Sequence, residues 1–119
     1  MVWWGTPCTT LSRARKWDGL GPPPLRDPVE PPLPAERASQ NDIAKVFEAN
    51  SFVELTVEGS YAIEAAGGVF VIENPEKSRL WEMCNIKMLQ EQAKNVTSIV
   101  THYCKWLSRE EIVGSLPWL

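Results

Sequence analysis

Two residues could share a covalent reaction: Cys8, in Trp4-Gly5-Thr6-Pro7-Cys8, and Glu73, in Val69-Phe70-Val71-Ile72-Glu73-Asn74-Pro75. Each follows a short apolar run, which places it at the C-terminal lip of a strand in an α/β sheet. A thiolate is the strong nucleophile of the protein repertoire, and a neighbouring carboxylic acid can hydrogen-bond to a substrate and stabilise the adduct. On a pyrimidine ring, Cys8 would add at C6 and make C5 enamine-like. Glu73 would hold N3 and the exocyclic amine. Pro7 holds the turn before the thiol, and Arg13 or Arg15 could lower its pKa or grip a phosphate.

These residues need a scaffold, and the pattern supplies one. Met1 to Gly5 is a short apolar strand. Residues 18–38 form a loop, because Pro22-Pro23-Pro24, Pro28, Pro31-Pro32 and Pro34 allow neither helix nor central strand. Ser39 or Asn41 caps a helix running towards Ala66, with Ile43, Val46, Phe47, Val53, Val57 and Tyr61 near helical spacing and Gly59 as a break point. Gly67-Gly68 ends it. Residues 69–72 are a doubly covered strand stopped by Pro75. Residues 78–94 form a second helix, with Leu80, Trp81, Cys84, Met88 and Leu89 as its stripe, and 96–103 read as a strand from their β-branched content. Residues 107–119 read as a tail or short helix, capped by Ser108 and opened by Glu110-Glu111.

Totals narrow the field. One domain fits in 119 residues, with the partial domain spanning 1–106 and the tail 107–119. A net charge of −3 argues against a protein that coats nucleic acid, which normally carries a basic balance. Cys8, Cys84 and Cys104 are odd in number and lack Cys-x-x-Cys spacing, so neither a zinc site nor a full disulfide framework is indicated. No run approaches a membrane span and no secretory leader is evident. The chain reads as soluble and intracellular, in nucleus or cytoplasm, with no membrane partner.

The segment from Gly5 to Arg15 resembles the nucleophile motif of the DNA (cytosine-5) methyltransferases, at Gly5, Pro7, Cys8, Leu11, Ser12 and Ala14, with Arg26-Asp27 similar to a later pair. Glu73-Asn74 resembles the family's Glu-Asn-Val, with Pro75 in place of valine, and Thr6 stands where the family has its first proline. The resemblance covers roughly residues 4–103 and implies a partial Rossmann-like methyltransferase sheet, with about three parallel strands and helices on the faces. It implies Cys8 and Glu73 as catalytic, Pro7, Ser12 and Asn74 as supporting, and Arg13, Arg15 and Arg26 as nucleic-acid-binding. It also implies DNA as partner and S-adenosylmethionine as methyl donor. No Phe-x-Gly-x-Gly turn for that donor and no Gln-x-Arg-x-Arg motif are found, so the isolated chain is expected to be inactive, with a complementing polypeptide or self-association left open as partners. Two other readings stay open. One is a non-catalytic interaction or remnant domain that self-associates, and the other a thiol-dependent enzyme or redox protein using Cys8.

Overall fold

The structure is a computed structural model that describes residues 1–7, 9–12, 23–102 and 109–114. It is a mixed α/β arrangement: β1 (Val2–Gly5), α1 (Gln40–Ala65), β2 (Phe70–Pro75), a 3-10 turn (Arg79–Glu82), α2 (Cys84–Gln92), β3 (Thr97–His102) and β4 (Arg109–Gly114). The sheet order is β1-β2-β4-β3. β1 and β2 are parallel, while β4 is antiparallel to both its neighbours. β1, β2 and β3 therefore run one way, as three parallel strands would, but β4 separates β2 from β3. The short helix expected within 107–119 is corrected here, because residues 109–114 are a central strand. A segment bonded along both edges satisfies its backbone in the sheet, and that outweighs a local helix-start signal.

Ser39, rather than Asn41, caps α1, its hydroxyl accepting from the Asp42 amide at 3.2 Å. α1 is continuous for 26 residues, so Gly59 does not break it. That glycine serves close packing instead: a Cβ there would lie 2.6 Å from the Trp4 ring. Gly67 takes φ +79 just past the helix end, where the Gly68 amide bonds back to the Ile63 carbonyl at 2.8 Å. The expected second helix divides at Met83, whose extended backbone (ψ 133) separates the 3-10 turn from α2. That division rotates the apolar stripe: Met83, Ile86 and Leu89 are buried, whereas Cys84 and Met88 are exposed.

Both helices cover the same sheet face. Phe70 and Ile72 of β2 pack with Val53 and Val57 of α1 and with Ile86 and Leu89 of α2 in one cluster, joined by Leu11 and Leu80. Val71 points to the opposite face, where its apolar neighbours among the described residues are Val69 and Ile99. The expected placing of helices on both faces is thus corrected to one face for α1 and α2. The proline-rich segment folds back on itself at 26–35, through an isolated Arg26–Pro34 bridge and the bonds Asp27 N to Leu33 O and Ala35 N to Leu25 O.

Candidate functional site

The two sequence motifs meet where β1 ends. Gly5 lies opposite Glu73 in the parallel register, so the chain leaving β1 as Thr6-Pro7 starts beside the carboxylate-bearing strand. Glu73 shares a sheet face with Gly5, Val71 and Trp3, since alternate residues point the same way. The Trp3 indole N–H donates to Glu73 Oε2 at 2.7 Å, which orients a half-buried carboxylate. β2 extends to Pro75, three residues past Ile72, because Pro75 still lies opposite Glu110 of β4.

Asn74 points to the other face and is 2 % exposed. Its Nδ2 donates to the Thr6 carbonyl at 2.8 Å, a contact across 68 positions of sequence that ties the two motifs together. The Thr6 and Thr56 hydroxyls lie 3.0 Å apart. Thr56 gives its proton to the Phe52 carbonyl at 2.8 Å, so Thr6 donates to Thr56. A buried polar seam thus fixes the exit of β1 against α1.

Beyond position 8 the same segment is held again. Leu11 is buried in the core, and its carbonyl accepts from the Arg79 amide at 2.9 Å. Thr10 is gripped by Arg26: Nε reaches the Thr10 carbonyl and Oγ1 at 3.1 Å each, and Nη2 reaches Oγ1 at 2.9 Å. Arg26 Nη1 also donates to Pro31 O at 2.8 Å and Asn50 Oδ1 at 2.6 Å, and Asn50 Nδ2 returns a bond to Pro32 O at 2.7 Å. The guanidinium thereby fastens the segment bearing Thr10, the proline-rich loop and α1 to one another. Its partners among the described residues are all neutral oxygens. Burial, and then repulsion from Arg79, lower its pKa from the ordinary guanidinium value to about 10.

The reading of Arg26 as a nucleic-acid contact is corrected by its burial. With no exposed surface and its donors turned inward, it has no reach to a phosphate. Cys8, Arg13 and Arg15 lie outside the described residues. Pro7 and Thr9, on either side of Cys8, are exposed, and Ser12 is half-buried. The structure brings Glu73 and Asn74 to the β1 exit at Gly5-Thr6, next to Pro7. Trp3, Thr10 and Asn50 were not picked out from the sequence. Sheet register and loop docking place them, and local spacing carries no signal of either.

No protein family, curated protein or solved structure matches the chain. A cleft of about 280 Å³ opens beside the segment, lined by Pro7, Thr9, Thr10, Lys45, Glu48 and Phe52 among others. Its α1 wall carries the Lys45 ammonium and the Glu48 carboxylate beside Ala49 and Phe52. Among the described residues no group of three His, Cys, Asp or Glu side chains could hold a metal ion, and no helix is long and apolar enough to cross a membrane.

Asp27, next to the buried guanidinium, spends its carboxylate on the amides of Val29 and Glu30, at 2.8 Å each. Those bonds hold its pKa below the ordinary carboxylate value, with a further contribution from Arg79. Asp27 shapes the loop and does not neutralise Arg26 through a bond.

Proposed function

We propose that this chain forms the base-side half of a cytosine-5 methyltransferase-like site in a Rossmann-like sheet, with Cys8 as the nucleophile and Glu73 as the acid that contacts the ring. The observation that supports this reading most is the Asn74–Thr6 bond at 2.8 Å, together with the Gly5–Glu73 register. It brings the two segments that carry the family resemblance to one strand lip. Cys8 follows Thr6 by two positions, in a segment fastened before and after it. DNA, presented as an extruded or single-stranded cytosine, is the proposed substrate.

The chemistry asked of these residues is reversible addition. The Cys8 thiolate adds to C6 of cytosine, the C5–C6 π electrons move towards C5, and Glu73 stabilises the adduct by hydrogen bonding at N3. Trp3 keeps the Glu73 carboxylate pointed at the lip. S-adenosylmethionine would supply the methyl group in the family chemistry. The described residues do not fit it: no glycine-rich turn leads from a described strand into a helix with a ribose-binding carboxylate beyond. No step of transfer is assigned to this chain.

Addition can be tested without any donor. A thiolate at C6 makes C5 basic, so C5 takes a proton from solvent and loses its own when the adduct collapses. Incubating the chain with a cytosine-containing single-stranded oligonucleotide in D₂O should exchange H5 for deuterium, seen as loss of the H5 proton resonance. Cys8→Ser should abolish the exchange and Glu73→Gln should slow it. Exchange no faster than in buffer would reject the reading, and exchange indifferent to Cys8→Ser would reject the nucleophile.

A further inference from the structure

We propose that the free edge of β1 pairs antiparallel with β1 of a second copy of this chain, joining two four-stranded sheets into one across a two-fold axis. β1 is an end strand whose one partner among the described residues is β2. Its Val2 amide donates to the Val69 carbonyl at 2.9 Å, so by alternation the Val2 and Trp4 amides face β2. The Trp3 and Gly5 amides and carbonyls face outward. Val2-Trp3-Trp4-Gly5 contains no charge and no proline, the devices that commonly keep a strand edge from pairing.

The helix above this edge is also unfinished. Phe52 and Leu55 of α1 are 44 % and 56 % exposed, and with Trp3 and Pro7 they line a cleft of about 130 Å³ at the edge of the sheet. A two-fold axis perpendicular to the sheet leaves each face on its own side. The α1 helices of both copies then lie on the same side of the joined sheet, and Phe52 and Leu55 of each approach their equivalents. On the opposite face, Trp3 approaches the partner's Trp3 while its N–H stays on Glu73. One self-complementary surface satisfies both the strand edge and the helix flank, as a closed two-fold interface requires.

The area sets the strength. Trp3 is 50 % exposed, so Trp3 and Phe52 each offer roughly 100 Å². With Met1, Val2 and Leu55, the apolar contribution is on the order of 400 Å² per copy, about half the 800 Å² per partner of a stable dimer. The association is therefore weak and dynamic, with half-assembly on the order of 10–100 μM.

Sedimentation velocity of the 119-residue chain across that range tests the proposal, alongside amide hydrogen exchange at low and high concentration. The expected result is a monomer–dimer equilibrium in which the Trp3 and Gly5 amides slow with concentration and those of Val2 and Trp4 do not. Leu55→Lys should move the midpoint at least tenfold, with circular dichroism confirming an unchanged fold. Val29→Lys, at an exposed loop position away from this edge, should leave it in place. A monomer throughout, a dimer indifferent to Leu55→Lys, or protection outside β1 would each overturn the proposal. The exchange measurement on the unmodified chain keeps the test decisive if Leu55→Lys misfolds.

Discussion

Gly59→Ala separates two opposing forces at the joint that aims the site. Inside α1 an alanine is favoured over glycine by about 1 kcal/mol, because it restricts the unfolded chain and shields the helix backbone. At this position the added methyl would sit 2.6 and 2.8 Å from two carbons of the Trp4 ring. Overpacking of that kind typically costs about 1–3 kcal/mol. The net expectation is a loss of about 1 kcal/mol, or roughly 4 °C in melting temperature for a domain of this size. Trp4→Leu removes the ring, so in that background the same Gly59→Ala change should stabilise by about 1 kcal/mol. Four urea titrations complete the double-mutant cycle, with an expected coupling of about 2 kcal/mol. A coupling below about 0.5 kcal/mol would mean that Trp4 does not lie against Gly59, and the packing account of α1 on β1 would be wrong.

Arg26→Met keeps much of the volume but strands the acceptors on Thr10, Pro31 and Asn50, and should cost more than about 3 kcal/mol by chemical denaturation. Arg26→Lys should recover only a minor part, because an ammonium lacks the planar fork that reaches all three segments. Asn74→Asp should cost about 2 kcal/mol or more at neutral pH, since a carboxylate cannot donate to the Thr6 carbonyl and would be buried there. Asn74→Ala should cost less than Asn74→Asp, because it also removes the buried Oδ1, which has no partner among the described residues. Asp27 has a folded-state pKa below its ordinary value of 3.8. Its stabilising contribution is therefore present above that value and is lost as pH falls through the lower folded-state pKa. Asp27→Ala should lower stability at pH 7 and flatten the acid limb of the stability–pH curve, and an unchanged limb would refute the role of its two amide bonds.

Where neighbours in sequence decide a structure, the residues announced it. Ser39 and Gly67 bound α1 because caps act locally, and the β-branched run before Glu73 becomes a buried strand. Residues 109–114 misled for the same reason: Ser108 with Glu110-Glu111 imitates a helix start, while the partners that make them a strand lie in β2 and β3. The parallel pairing that sets Glu73 beside the β1 exit was legible from two short apolar runs, each read as a parallel strand. The Trp3–Glu73 bond was not, because it depends on the register of two strands 70 positions apart. Arg26 misled through its charge: arginines are seldom buried, and this one is paid for by neutral oxygens spread over three segments.

The place of β4 in the sheet sets the order in which the molecule can be finished as it is made. Chains emerge from the N-terminus, yet β4, the one strand partner of β3 among the described residues, is made after it. During that interval Thr97-Ser98-Ile99-Val100-Thr101, a stretch without charge and rich in β-branched residues, is an open template for pairing with other nascent chains. A stop before residue 109 would leave β1 and β2 able to pair and β3 without its partner β4, a product prone to aggregate. Arrival of β4 is then the event that bonds one edge of β3 and joins it to β2.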